Sequence, residues 1–582
     1  MTKRVVIDPV TRIEGHLRIE LETDGQVIKN AWSAATQYRG IEAIMAGRDP
    51  RDAWAFANRI CGVCTSAHAV ASLAAVENAI GSTPPRQAGL IRDMVTLSAA
   101  IQDHVIHFYH LHALDWVNVA AAATADPAAA VTFARAIGSA WKGNTLERMM
   151  AVRDTVKGIL DSGQLSIFSG GYWDHPDYRL PAEANLMAVA HYLDALEFQR
   201  SMIRINAVFG GKNPHPNFLV GGMACSIDQD KSETVNQVQI SEVEKWVAET
   251  LEFVSTCYVP DAMAIMGVYK DYFDIGASAP NYIAVGLMGA AYAGDPNQAP
   301  KYPSPTMEGF RPGVVLDDDV SVVHPFDPAL IAESVASAWY TYSGGATTLT
   351  PDQGETTVGY TGPQLPYNWL SDADKYTWSK APRYDGRPVQ VGPLARIMVG
   401  YAGGHARTRQ LVDDAAKKLG ITPAQLNSTG GRTLARAVDA LIAAEVLSDK
   451  IFPQFVTGLK KGDVDVFDAT KWDPGTWPKS AAGYSLVEVA RGTLGHWVRI
   501  ENGAISLYQA IVPSTWNAGG RDEAGQMGPY ESALAGNGRH PLANSAEPLE
   551  PLRTIHSFDP CISCAVHVLD AQGHELQVVT TS

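Results

Sequence analysis

The chain has 582 residues, 46% of them hydrophobic and 19% charged, a composition that excludes a disordered or fibrous protein and supplies ample material for a core. Its 62 acidic against 46 basic residues leave a formal charge of −16, which disfavours electrostatic binding to nucleic acid or to an anionic membrane surface. A run of about 18 apolar residues, the length that crosses a bilayer, is missing; the alanine-rich "VAAAATADPAAAV" at 119–131 is broken by Asp126 and Pro127.

In chain order, "MTKRVVIDPV" enters a β-branched run at once and lacks the zones of a secretory signal. Export, if it occurs, is therefore expected to be carried by another chain. Residues 5–8, 17–23 and 27–35 read as strands, the last two joined by a hairpin turn at Asp24-Gly25, and define an N-terminal β region over about 1–36. Leu90, Met94, Leu97, Ile101, Phe108 and Leu111 recur at spacings of three, four and seven, which predicts a long amphipathic helix over 86–122. Similar patterns at 182–206, 232–257 and 405–447 extend the helical core over about 50–270 and 390–450. The stretch 275–400, rich in Gly, Pro, Tyr and Trp, predicts an irregular or short-stranded excursion. The expectation is an α+β fold, mostly α, with a long-helix bundle core and small peripheral β regions in one unit over 1–567.

Six cysteines are too few for a disulfide framework. Four of them form two Cys-x-x-Cys pairs near opposite ends, Cys61/Cys64 and Cys561/Cys564. Cysteines three positions apart turn both sulfurs toward one point, so two such pairs brought together make a four-thiolate cage for a soft metal. Structural zinc, an iron-sulfur cluster, a catalytic metal and a redox disulfide all remain open from spacing alone. Cys225 and Cys257 stand apart and read as buried small apolar residues. The histidines at 104, 107, 110 and 112 do not share one helix face or a zincin pattern, and read as core or interface residues.

The neighbours of the cysteines carry a resemblance. "RICGVCTSAHA" from Arg59, "DPCISCAVH" from Asp559 and "DPVTRIEGHLRIE" at 8–20 resemble the large subunit of a nickel-iron hydrogenase of uptake type. The likeness continues, in the family's order, through "YRGIEAIMAGRDPRDAW", "HFYHLHALDW", "FGGKNPHPN", "KYTWSKAPRYDGRPVQVGPLAR", "ARGTLGHW", "VPSTWN" and "PLRTIHSFDPC".

The resemblance implies that Cys61, Cys64, Cys561 and Cys564 all bind nickel, with Cys64 and Cys564 bridging to an iron that carries CO and cyanide. Soft thiolates suit nickel, and a vacant coordination position leaves room for H2, as a closed zinc cage would not. It also implies that Cys561 is a first proton acceptor, that Glu14 takes the proton onward, and that Arg491 lies over the metals, held by Asp103 and Asp559. A guanidinium does not deprotonate readily, so Arg491 is expected to stabilise and position rather than act as a base. His68 is expected to hydrogen-bond near a bridging sulfur and Ser514 to hydrogen-bond a cyanide. Glu42, the carbonyl of Ala510 and His567 correspond to ligands of a hydrated Mg2+, or of iron in that place. Ala490 departs from the proline that many relatives carry before this arginine; alanine restores an N–H and frees φ.

By the same resemblance, residues 568–582 form an extension that a maturation endopeptidase removes after His567. With no third cysteine cluster the chain is expected to hold no iron-sulfur cluster. Its electrons then leave through an iron-sulfur small subunit in a heterodimer or dimer of heterodimers, and on to a membrane cytochrome b or quinone-linked subunit. The expected location is the periplasmic side of the inner membrane, reached by co-export; the alternative is cytoplasmic. Two rival readings stand beside this one: a metal-free relative that serves a respiratory complex, and a protein with structural zinc.

Overall fold

A computed structural model of the chain describes residues 2–164, 168, 171–289, 291–292, 309–362 and 369–565. The N-terminal strands Thr2–Ile7, Leu17–Asp24 and Val27–Ala35 form an antiparallel sheet in sequence order. Asp24 pairs with Val27, so Gly25, at φ +61°, and Gln26 make the turn. The loop between the first two strands, residues 8–16, is the part that reaches the site.

Helices supply most of the remaining mass. The helix Arg86–Ile106 starts after Pro85 and buries most of its side chains. It does not continue to residue 122: at His107–His112 it widens into a π-turn, tightens into a 3-10 turn at Ala113–Asp115, and yields to the separate short helix Val119–Ala122. Three histidines and the bulky Phe108 and Tyr109 crowd this stretch, and each imidazole finds a tertiary partner that a regular helix would not align. The pattern read over 405–447 is likewise two helices, Ala406–Leu419 and Thr429–Val446, separated at Gly420, which adopts a left-handed conformation.

Gln237–Val268 is a helical rod of 32 residues that includes a π-turn and is long and apolar enough to cross a membrane; 56% of its most apolar stretch is buried inside the protein, which marks it as a core helix. Thr429–Val446 runs through the centre with nearly every side chain buried, including Arg432, Arg436 and Asp439.

The region 275–400 contains short strands, among them Tyr282–Ala284, Ile331–Ser334 and Ala381–Tyr384, before the helix Pro393–Ala402. The sequence reading placed no strands near 480–511, yet Ser480–Val489, Gly492–Glu501 and Ala504–Ile511 form the longest antiparallel ladder of the described residues. Its inner ends are wholly apolar or buried polar on both faces, so the alternation that advertises a strand is missing. The helix Ala67–Ile80 packs on the first of these strands. Gly483 makes the approach possible, since a Cβ there would come 2.3 Å from the carbonyl oxygen of Ala75.

Candidate metal centre

The two ends of the chain meet. Cys61 follows a short 3-10 turn, Asn58–Ile60, and its backbone turns extended, so that its sulfur points inward beneath the start of the helix Ala67–Ile80. Cys561 arrives from the opposite side after the helix Leu549–Ser557. Their Sγ atoms lie 3.3 Å apart. This is far beyond the ~2.05 Å of a bonded pair, and Cys61, Cys64 and Cys561 are free cysteines. Their sulfurs converge on one point within 4.8 Å of one another. The backbone of Cys64 donates to Cys61 Sγ at 3.3 Å and that of Val63 at 3.2 Å, so two main-chain donors orient this sulfur. The backbone of Cys564 lies in the turn Ile562–Ala565. Its side chain, His567 and all of 568–582 lie outside the described residues.

The N-terminal loop clamps this end in place. The backbone N–H of Ile562 donates to the carbonyl of Glu14 at 2.8 Å, and that of Glu14 to Pro560 at 3.4 Å. Gly15 is required here: its φ is +82° and a Cβ would come 2.5 Å from the Ser563 nitrogen. The Glu14 carboxylate then accepts from Ser563 N–H at 3.0 Å and stands 3.3 Å from Cys561 Sγ. Burial, followed by the nearby charge of Cys61, pushes the Glu14 carboxyl above its usual range.

Arg491 enters from the interior hairpin. Val489 pairs with Gly492, so Ala490 and Arg491 are the two residues of the turn. Arg491 Nη1 donates to Asp103 at 2.7 Å, Nη2 to Asp559 at 2.9 Å and Nε to the Asp559 carbonyl at 3.0 Å. Burial opposes the charge of this guanidinium, but Asp103, Asp559 and the cysteines outweigh it and hold Arg491 protonated. Burial pushes Asp103 up to about 6, against the pull of Arg491 and with the charge of Asp559 adding to it. Asp559 adopts φ +60°, a left-handed conformation that aspartate tolerates better than most residues.

Cys64, His68 and Arg491 share a small enclosed cavity with Val489, Leu494, Val512, Pro513 and Ser514. Ser514 Oγ accepts from the backbone N–H of Cys561 at 3.1 Å, which leaves its hydroxyl hydrogen to donate into the cavity. His68 Nδ1 lies 3.2 Å from His496 Nε2, and burial pulls its pKa down to about 4. The donor set fits a nickel-iron centre: convergent soft sulfurs for the metals, and beside them a mostly apolar space with one hydroxyl and one guanidinium, the right lining for small diatomic ligands.

Glu42 and Ala510 also meet, with the Ala510 N–H donating to Glu42 Oε1 at 2.9 Å. Burial raises Glu42 to about 7. The structure adds three residues that the sequence reading missed. Buried Lys380 lies 3.9 Å from Glu42, 3.2 Å from Glu333 and 2.8 Å from the Gln509 side chain. Lys380, the second of two lysines in the aromatic "KYTWSKAPRY", was the available signal.

Two further groups of metal-ligand type are hydrogen-bonded among themselves. Asp115 accepts from Arg12 at 2.5 Å, His112 Nδ1 at 3.1 Å and His556 Nδ1 at 2.7 Å. Cys257 is buried in the apolar core, as the sequence predicts, and in addition lies 3.5 Å from the Tyr109 hydroxyl, beside the buried pair of His191 and Asp261, themselves 2.7 Å apart. Cys225 also packs against the apolar core.

Comparison with known proteins agrees with this geometry. The family model of nickel-dependent hydrogenases matches residues 39–567, and a model described as HoxL-like matches 4–33. The chain belongs to the nickel-dependent hydrogenase family. It is 43% identical to an uptake hydrogenase large subunit of Rhizobium leguminosarum bv. viciae, over 99% of this chain and 96% of that one. It is 42% identical to the hydrogenase-1 large chain of Escherichia coli over the same shares. Among solved structures, the Ni-Fe-Se hydrogenase of D. vulgaris Hildenborough superposes with a TM-score of 0.73 at 29% identity, covering 97% of this chain and 100% of that chain.

Proposed function

We propose that this chain is the catalytic large subunit of an uptake hydrogenase that oxidises H2 to two protons and two electrons. The carrying observation is the convergence of the Cys61 and Cys561 sulfurs, 500 positions apart in sequence, with the Glu14 carboxylate 3.3 Å from one of them. A nickel-iron centre held by Cys61, Cys64, Cys561 and Cys564, its iron carrying CO and cyanide, supplies the site of heterolytic H2 cleavage when bound.

The residues of the chain then divide the work. Cys561 Sγ holds the released proton, and Glu14 Oε2 receives it. A carboxyl raised by burial keeps a proton long enough to pass it on near neutrality. Arg491, kept charged by Asp103 and Asp559, presents a fixed positive field and gives up no proton of its own. Ser514 would donate to a cyanide and His68 would hydrogen-bond near the Cys64 sulfur, both from the lining of the same cavity. Val489, Leu494, Val512 and Pro513 exclude water from the cavity.

Glu42, the Ala510 carbonyl and His567 would hold Mg2+ or iron, and such a cation would add to Lys380 in favouring the ionised form of Glu42 against its burial. The electrons leave through an iron-sulfur small subunit in a heterodimer, which itself dimerises and feeds a membrane cytochrome b or quinone-linked subunit. The assembly faces the periplasm after co-export, and an endopeptidase removes 568–582 once nickel is loaded.

Elemental analysis together with infrared spectroscopy of the purified, processed protein tests this reading. Nickel near one per chain and bands from diatomic iron ligands are expected, and both should vanish in Cys64→Ser. Zinc alone, or no metal in a processed chain, would refute it.

A further inference from the structure

A closed ring of hydrogen bonds surrounds the Arg491 turn from behind. Asp559 Oδ2 accepts from Arg436 at 3.2 Å, and the same Nη1 atom lies 3.0 Å from His104 Nδ1. His104 Nδ1 is thus the acceptor, so its ring proton sits on Nε2, 2.9 Å from Asp439 Oδ2. Asp439 is gripped by Arg396, through Nε at 3.0 Å and Nη2 at 2.6 Å. Arg396 then closes the circuit on the strand end and turn that carry Arg491. It donates to the Glu488 carboxylate at 2.7 Å, to the Val489 carbonyl at 2.9 Å and to the Ala490 carbonyl at 3.2 Å.

All five guanidinium N–H donors of Arg396 are spent, two of them on backbone carbonyls of the turn and its approach, in a side chain only 1% exposed. Lysine offers three donors and no planar fork, so arginine alone satisfies this set. Two glycines bring the backbones together at the same place. A Cβ at Gly492 would stand 2.4 Å from the Gly392 nitrogen, and one at Gly392 would stand 2.9 Å from the Arg491 carbonyl oxygen. The turn is therefore fixed on one side by backbone contact and on the other by Arg396.

We propose that Arg396 is the positioning residue for Arg491. It holds the backbone of the Ala490-Arg491 turn by its carbonyls, while Asp439, His104 and Arg436 link its orientation to Asp559, the carboxylate that grips the Arg491 side chain. Both ends of Arg491, main chain and guanidinium, are in this way set by one network. Among the described residues Arg396 hydrogen-bonds to no cysteine of the site, and it acts only through this geometry. The functional part of the proposal rests on the reading that Arg491 works at the thiolate centre.

The test uses the full-length holoenzyme with Arg396→Gln and the double variant Arg396→Gln/Ala490→Pro. Proline suits the first position of a tight turn, where its ring fixes φ without a hydrogen bond from Arg396. Three readouts are taken: amide hydrogen exchange across 485–495, infrared bands of the iron ligands with nickel content, and H2 kinetics. In Arg396→Gln the exchange of the turn is expected to rise while nickel stays at the wild-type level, the bands shift, and kcat falls by about a hundredfold with KM unchanged. The proline variant is expected to reverse the exchange and recover most of the turnover. Unchanged exchange at the turn, unshifted bands with wild-type kcat, or a loss of nickel that proline does not rescue would each overturn the proposal. Hydrogen exchange reads the clamp without any metal, so a wild-type chain that lacks nickel would sink the hydrogenase reading and leave this measurement decisive.

Discussion

The carboxylate of Glu14 lies 3.3 Å from the sulfur of Cys561, across 547 positions of sequence. Main-chain hydrogen bonds on both sides of Glu14 hold this approach, so it depends on two backbone segments lying side by side rather than on the reach of a flexible side chain.

That rigidity defines the first prediction. Glu14→Gln keeps the size of the side chain and its contact with Ser563 but removes the group able to take a proton. Nickel content should stay at the wild-type level while H2 turnover falls by at least about 10²-fold. Metal analysis beside an H2-uptake assay checks it, and wild-type turnover would remove Glu14 from the proton path.

A second prediction concerns closure of the C-terminal segment. Gly15→Ala forces a Cβ within 2.5 Å of the Ser563 nitrogen at a left-handed φ of +82°. The loop and the Cys561 segment must then part. Reduced nickel per chain is expected, measured after purification under identical loading conditions; full occupancy would show that the clamp is dispensable.

Asp115 offers a third. It is fully buried and neutralises Arg12 while accepting from His112 and His556, tying the N-terminal loop, the π-turn and the helix Leu549–Ser557 to one carboxylate. Asp115→Asn leaves Arg12 without its counter-charge and should cost about 3–5 kcal/mol of stability. Denaturant unfolding of the variant and the wild type gives the difference directly.

The pH dependence of stability follows from buried rings. Burial pulls His104, His112 and His540 each down to about 4. A histidine whose folded pKa lies below its free value of ~6.5 supports the fold fully above that pH, and loses this support as pH falls from 6.5 toward 4. At pH 5.5 the loss is on the order of 1 kcal/mol per ring. The unfolding midpoint should therefore drop between pH 7.5 and pH 5, and a flat profile over that window would show that these rings titrate normally.

How much of this was legible beforehand varies by element. The N-terminal strands were readable because Leu17, Ile19 and Leu21 alternate beside a glycine turn, a signal contained within about ten residues. The helix Arg86–Ile106 was readable from its apolar spacing, but its end was not, because the π-turn answers to the partners of His107, His110 and His112 in distant segments. The hairpin that carries Arg491 was invisible, since residues buried on both faces show no alternation. The helix Thr429–Val446 carried its own clue: two arginines and an aspartate within an alanine-rich, largely apolar run announce buried charge without naming its partners.

By itself the sequence determined the chemistry on offer: two thiol pairs at metal-binding spacing, an acidic and globular composition, and helices whose periodicity each segment carries alone. Tertiary structure alone decided that the sulfurs of the two ends meet, that Lys380 stands beside Glu42, and that Arg396 reaches the carbonyls before Arg491. The physical reason is range. Periodicity and turn chemistry are properties of neighbours along the chain, whereas a buried charge is tolerated only where packing delivers its partner, and the position of that partner is set by the whole fold.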